Sequence, residues 1–491
     1  MKRSSRNYLE PMLDRSHQHS DFVFPVALQA DWPETEDVAA RELEPWGWLE
    51  LFVVSQVFWG VLLFIPGSQA FRMYIRAFPY VASLAALLSC ARASGTDAVV
   101  PGARWIIAVM VLLVANLVHE ETWFTAGVAQ VVFQLAIAAP VFWTSRAWIT
   151  EQRLDRLILL IFGAHFVSAA LGLLQVYYPA TFLPPEFSSM SFRLNPEFLG
   201  GLTYLGSADR IIIRPPGLSD LPGGAAISGT VAALLGFALA LRPGRSPIWK
   251  AVFFASAAVG ITVVYLTQIR SMLLMIMGCM LAMALVKLRQ GRVIQSGWIA
   301  ASAVALVAGA FIWAGSVGGE VLEERYRGIV DSGLLRTYQE NRGFFLEHTV
   351  RELPFQYPFG AGLGRWGMMS AYFAEPENWR HPALYAEIQM TGWLYDGGVL
   401  MWVFYPIALG LAMRFSYRLA IARADELNEA AMAVFAIQLL LVGLCFTGPV
   451  FNTQVGMMFW LATAMLYGAM RTRVLETLEE ENEAELMEAD A

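Results

Sequence analysis

Charge is scarce in this chain: Asp, Glu, Lys and Arg make up 15% of its 491 residues, against about 25% in an ordinary soluble domain. Lysine is scarcer still, with Lys2, Lys250 and Lys287 the full complement. Cys90, Cys279 and Cys445 all fall in apolar stretches and form no CxxC pair, which excludes a disulfide framework. No fixed-period internal repeat is evident, and no basic patch marks a nucleic-acid partner. What remains is 57% apolar, gathered in long blocks such as Ala251–Leu266 and Ala300–Ala314. A cytosolic enzyme, a secreted scaffold and a disordered chain are all excluded. The 16 Trp and 31 Phe suit a bilayer, where aromatic side chains collect at the interfaces.

A helix crosses the hydrocarbon with about 20 apolar residues. Twelve stretches qualify: 46–66, 73–91, 103–119, 122–143, 156–177, 223–242, 250–267, 271–288, 297–315, 396–414, 430–450 and 454–470. Open sheet leaves backbone groups unpaired in lipid, so the spans are helices. If the third and fourth stretches only re-enter, ten full spans remain. The first begins near Trp46, behind a polar leader (residues 1–44), so it is expected to be a retained anchor rather than a signal peptide.

Lys and Arg set the direction. With the N-terminus in the cytoplasm, 21 of the 34 bases lie inside, including Arg146/Arg153/Arg156, Arg242/Arg245/Lys250, Lys287/Arg289/Arg292, Arg414/Arg418/Arg423 and Arg471/Arg473. The acidic tail, residues 471–491, is then cytoplasmic as well. A transmembrane domain over residues 45–470 is left with two large outer segments, 178–222 and 316–395.

These segments hold the unusual residues. Arg214-Pro-Pro-Gly-Leu-Ser-Asp-Leu-Pro-Gly-Gly leads into a small-residue helix, which suits either a tight backbone re-entry with helix-start amides facing an anion, or an ordinary loop. Arg270 stands alone at a hairpin tip between two spans, either snorkelling to headgroups or binding an anion in a cavity. Residues 320–352 have helical spacing and carry Arg325, Arg336 and Arg342. The run Gly360-Ala-Gly362-Leu-Gly364 follows no strand, so a compact turn fits better than a nucleotide fingerprint. Glu375, Glu377, Arg380, His381 and Pro382 come next. His165 lies in mid-span and suits a hydrogen-bonded core histidine better than a proton relay. His119, Glu120 and Glu121 are consecutive and cannot share one helix face as metal ligands usually do. His17 and His19 lie in the leader.

His381-Pro382, nine residues, Gly392, two residues, Tyr395 resembles the signature of bacterial O-antigen ligases, with Pro382 where Asn, Ser or Gln is usual. Arg342…Pro358-Phe-Gly-Ala-Gly-Leu-Gly364 is similar to the Arg and Gly-rich run just upstream of that signature. Arg270-Ser271 resembles the family's Ser-Arg-Ser, with Ile269 in the first place. Arg214…Gly217…Pro222 resembles its Arg, Gly, Pro-Asn re-entry, with Gly223 in place of Asn. The likeness covers residues 46–470 and points to the superfamily of O-antigen ligases, O-antigen and exopolysaccharide polymerases, and protein O-oligosaccharyltransferases.

The resemblance implies an all-α polytopic fold of the glycosyltransferase C type, with about 12 spans and a large helical periplasmic loop before the tenth. It implies a bacterial inner-membrane enzyme with a periplasmic site. The donor would be an undecaprenyl-diphosphate-linked glycan and the acceptor a glycan or glycolipid hydroxyl, with no metal, nucleotide sugar or other cofactor. Independently, a leaving diphosphate gains negative charge that fixed guanidinium groups stabilise, and a sugar hydroxyl needs a base such as imidazole. His381, Arg270 and Arg214 are the catalytic candidates; Arg342, Arg380, Glu387 and Tyr385 are candidates for substrate binding. The full signature favours a ligase, while Pro382 and the long leader tip the acceptor toward another repeat unit and hence a polymerase. Two other functions fit parts of the pattern. A transporter or flippase of lipid-linked anionic sugars would use the same arginines, and a peptidoglycan polymerase would lean on an outer carboxylate.

Overall fold

The computed structural model describes residues 47–92, 99–184, 202–373, 381–422 and 426–489; the leader and Arg380 lie outside them. The described residues are helical almost throughout. The main helices are α1 (Trp48–Phe58), α2 (Arg72–Arg92), α3 (Ala103–Ala115), α4 (Phe124–Ala138), α5 (Glu151–Tyr177), α6 (Ala225–Ala240), α7 (Pro247–Thr267), α8 (Arg270–Arg289), α9 (Val293–Ser332), α10 (Phe344–Arg351), α11 (Gln389–Ile421), α12 (Glu426–Leu444) and α13 (Gln454–Ala489).

Each of the twelve apolar stretches falls on one of these helices, and eight are long and apolar enough to cross a bilayer by themselves. Their outward faces stay apolar: Ile107, Val111 and Val114 on α3, Leu281 and Leu285 on α8, and Val304 and Ile312 on α9 are all at least half exposed. Apolar surface on this scale is stable against lipid and not against water. The chain is an all-α membrane protein.

At the centre stands α6, whose residues from Ala225 to Ala240 are all buried except the partly exposed Ile227. Its sequence of Ala, Gly, Ser and Thr lets neighbouring backbones come close, as membrane helices do in place of hydrophobic association. A Cβ on Gly229 would sit 2.7 Å from the Gly260 carbonyl oxygen of α7, and one on Gly260 would sit 2.5 Å from that of Gly229. Helices α5 and α7 flank α6, and α8 and α12 complete the shell around it.

Two boundaries differ from the sequence reading. The segment expected at 396–414 begins at Gln389, so Gly392 and Tyr395 lie in a helix rather than in the outer loop. Non-helical backbone at Gly397 and Gly398 then breaks α11. The first outer segment contains a two-stranded antiparallel hairpin, β1 (Thr203–Leu205) and β2 (Ile211–Ile213), with Thr203 opposite Ile213. The triple isoleucine of β2 is a β-branched run that favours a strand, but three residues per strand are too few to show a period.

Several of the basic clusters meet carboxylates. Glu50 takes both Arg153 Nε and Nη2, at 2.8 and 3.0 Å. Arg242 and Arg245 pair with Asp155, and Lys287 pairs with Glu429. The acidic tail continues α13 as a helix to Ala489.

Candidate functional site

The loop before α6 re-enters the helical bundle. Gly217 adopts φ +64°, and a Cβ there would sit 2.7 Å from Ser168 Oγ of α5. Its N–H donates to Gln175 Oε1 (2.8 Å) and its carbonyl accepts from Gln175 Nε2 (2.9 Å). Asp220 is wholly buried, accepts from Arg76 and forms an ion pair with Arg72, both of α2. The backbone N–H groups of Gly223, Gly224, Ala225 and Ala226 donate to the carbonyls of Arg214, Leu221, Pro215 and Gly223. The segment is packed among the helices rather than lying in an open loop: Pro215, Pro216, Gly217, Leu218 and Asp220 are all buried. The helix-start amides, however, are used within the loop and do not face an anion.

That fold leaves the Arg214 side chain half-buried with its Nε inaccessible and without a partner. Desolvation holds its guanidinium below the ordinary value, against the smaller favourable effects of Tyr204 and Tyr326. Arg214 is still charged at any physiological pH. Arg270 opens α8, immediately after Gln268 and Ile269. Gln268 is a buried non-glycine residue at φ +58°, a left-handed conformation that glycine usually fills and that costs other residues on the order of 1–2 kcal/mol.

The third member comes from α9. A 40-residue helix is about 60 Å long, twice the hydrocarbon thickness, so α9 continues well past the bilayer. It kinks at Gly319 (φ 63°), where the chain packs on the Gly206–Ser207 backbone of the hairpin. Six residues later, Arg325 donates through Nε to the Gln268 carbonyl at 3.2 Å. Both Arg214 and Arg270 lie within electrostatic reach of Arg325. The three guanidiniums share surroundings rich in tyrosine: Tyr204 donates to the Leu266 carbonyl (3.0 Å), and Tyr326 packs edge-on against Tyr265. Among the described residues, no carboxylate pairs with any of the three arginines.

His381 stands in a different group. Its Nδ1 lies 4.0 Å from Glu121 Oε1, while Glu121 Oε2 pairs with the buried Arg365. Arg365 also donates from Nε and Nη2 to the Pro382 carbonyl (3.2 and 3.0 Å), and Trp123 Nε1 donates to the carbonyl of His381 itself (3.0 Å). The glycine run that precedes Arg365 is the compact turn. Gly360, Gly362 and Gly364 have φ of +107°, +87° and +80°. Ala361 N–H donates to the Tyr395 carbonyl (2.7 Å), Leu363 N–H to Thr122 Oγ1 (2.9 Å) and Gly364 N–H to Gln130 Oε1 (2.8 Å). With those amides satisfied by the protein, the run has none of them left to cradle phosphate.

Arg342 sits on a π-helical turn, Gln339–Gly343, a local geometry that recurs at functional sites. It pairs with Glu387, which also accepts from Tyr385 Oη. Three of the four substrate-binding candidates thus form one cluster, and Arg380 lies outside the described residues. Arg325, not Arg342, is the third cation beside Arg214 and Arg270. No hydrogen bond or ion pair among the described residues joins the arginine group to His381.

The other described histidines have neighbours of their own. His348 makes an exposed i,i+4 pair with Glu352, at 3.0 Å. His119 Nδ1 accepts from the Glu121 N–H (3.2 Å). His165 is a core residue 3.3 Å from Ser228 Oγ. No group of three or more His, Cys, Asp or Glu among the described residues is arranged to hold a metal.

A mostly apolar cavity of about 410 Å³ opens beside the 214–224 loop. Trp59, Leu63, Met73, Met369 and Met458 help line it, with Arg76 and Asp220 as polar groups. It contains neither His381 nor any of the three arginines, and shares with them only the loop, whose residues Leu218–Leu221 form part of its wall. No family model matches the chain, and no curated protein matches it.

Proposed function

We propose that the protein is a membrane glycosyltransferase that moves a glycan from a polyprenyl diphosphate to a sugar hydroxyl. The observation that carries this reading is the convergence of Arg214, Arg270 and Arg325 without a carboxylate among the described residues. Gathering three like charges in a half-buried site is unfavourable unless an anion offsets them. A diphosphate answers that need twice, once on binding and again as it gains charge on departure. The resemblance to O-antigen ligases and polymerases supports the same reading. So does the fold, in which the apolar segments coincide with helices.

In this reading the chain has twelve spans and the glycosyltransferase C architecture. It sits in a bacterial inner membrane with both termini cytoplasmic and the arginines facing the periplasm. The acceptor oxygen attacks the anomeric carbon from the face opposite the diphosphate. The C–O bond to the diphosphate breaks, its electron pair stays on the phosphate oxygen, and the new glycosidic bond forms with inversion. His381 Nε2 takes the hydroxyl proton and later returns it to solvent or to the released diphosphate. The arginines stabilise the growing negative charge, an effect typically worth about 2.7–4 kcal/mol per donor. The apolar cavity beside the Arg214 loop offers room for the prenyl chain of the same donor. The acceptor is another repeat unit, which makes the enzyme a polymerase.

The test is transfer by the purified full-length protein in lipid nanodiscs, supplied with a polyprenyl-diphosphate-linked oligosaccharide and the same oligosaccharide as acceptor. Chain extension by the wild-type protein, lost in His381→Ala and Arg270→Ala, is the expected result. Wild-type protein that leaves the donor intact but moves it across the bilayer would replace the transferase by a flippase.

A further inference from the structure

Glu121 is absorbed neither by the sequence motifs nor by the arginine group. Its two oxygens face two different partners: Oε2 pairs with Arg365, and Oε1 lies 4.0 Å from His381 Nδ1. Arg365 is buried and holds the Pro382 carbonyl through two of its N–H groups, and its own carbonyl accepts from the Leu384 N–H at 2.7 Å. Trp123, two residues after Glu121, fixes the His381 carbonyl. The side chain and the backbone of His381 are therefore referenced to one frame, the 121–123 turn together with Arg365.

That frame is itself rigidly held. A Cβ on Gly362 would lie 2.5 Å from the Glu121 carbonyl carbon and 2.6 Å from its oxygen, so the glycine run presses directly on the Glu121 backbone. Thr122 Oγ1 donates to the Asn116 carbonyl (2.8 Å) and accepts from Leu363 N–H. A carboxylate fixed on one side by a buried guanidinium, with its free oxygen toward an imidazole nitrogen, is the arrangement that selects a histidine tautomer.

We propose that Glu121 is the positioning residue for His381. Its Oε1 receives the Nδ1–H, which leaves Nε2 unprotonated toward the acceptor hydroxyl and supports the imidazolium formed when Nε2 takes the proton. The gap of 4.0 Å closes by rotation of the ring once substrate is present, since catalytic hydrogen bonds are often long in unliganded sites. This assignment rests on the transferase reading.

Steady-state transfer by the full-length protein in nanodiscs tests it, using Glu121→Gln, Glu121→Asp, His381→Ala and the Glu121→Gln/His381→Ala pair, with the melting temperature of each recorded. Glu121→Gln should lower kcat about 10- to 100-fold, as loss of an orienting partner typically does, with the donor KM unchanged and a lower melting temperature, because the buried Arg365 loses a charged partner. Glu121→Asp, which keeps the charge, should recover part of the rate. The double variant should be no slower than His381→Ala, because the effect is exerted through the imidazole. A wild-type kcat in Glu121→Gln, a Glu121→Asp as slow as Glu121→Gln, or an added loss in the double variant overturns the proposal. Loss in His381→Ala with Glu121→Gln intact overturns Glu121 alone, whereas a wild-type protein without transfer overturns the underlying reading as well.

Discussion

Arg325 shows how a single side chain acquires a role that its neighbours in sequence do not announce. It sits among Glu320, Glu323, Glu324 and Arg327, a mixture that reads as the solvated face of a helix. The kink at Gly319 turns the helix so that Arg325 reaches the Gln268 carbonyl, and one residue's φ is invisible in composition. Arg270 is legible because it stands alone at a hairpin tip between two spans, and Arg214 because a Pro- and Gly-rich run leads from it into a small-residue helix. We predict that Arg325→Ala lowers transfer about 100-fold or more, in the range for loss of one transition-state donor. Arg325→Lys should not restore it, since an ammonium lacks the planar pair of donors that meets phosphate oxygens. Arg336→Ala, which removes an exposed helical pair with Glu340, should leave the rate unchanged in the same transfer assay.

At the scale of elements, the spacing from His381 to Gly392 and Tyr395 gains a physical reason. Gly392 faces the Trp366 ring, where a Cβ would lie 2.1 Å from the indole, and Trp366 Nε1 donates to the buried Asp396 at 2.6 Å. The Tyr395 carbonyl accepts from Ala361. Both residues therefore hold the glycine-rich turn against the break in α11, where a Cβ on Gly398 (φ +61°) would meet the Pro358 carbonyl oxygen at 2.1 Å. The sequence placed these residues in a loop because a helix interrupted by two glycines resembles a helix start. Gly392→Ala and Gly362→Ala should each reduce transfer at least as much as Glu121→Gln and also lower the melting temperature. Gly410→Ala, which meets open space in the same helix, should change neither. On α8 and α12, Glu429→Ala strands the buried Lys287. Removing one partner of a buried pair costs about 3–5 kcal/mol, so this variant should show a marked fall in melting temperature.

For the whole molecule, the positions of the helices were legible from apolar run length alone, because a bilayer imposes one scale on every span. The order in which they pack was not, since it depends on close contacts such as Gly229 against Gly260 that any Ala- and Gly-rich helix could offer. The proposed orientation rests on the arginine and lysine bias, and labelling tests it. In a Cys90→Ser background, an impermeant maleimide should label Leu335→Cys in intact cells, and should label Glu483→Cys only after permeabilisation. The reverse pattern would invert the topology and move the arginines to the cytosolic side.

The central claim is that Arg214, Arg270 and Arg325 hold one diphosphate, and direct binding tests it most simply. Titrating the nanodisc-embedded full-length protein with undecaprenyl diphosphate should give saturable binding. That binding should weaken at least tenfold in each of Arg214→Ala, Arg270→Ala and Arg325→Ala, and by much less in Arg336→Ala. Undiminished affinity in a variant lacking all three arginines would contradict the account.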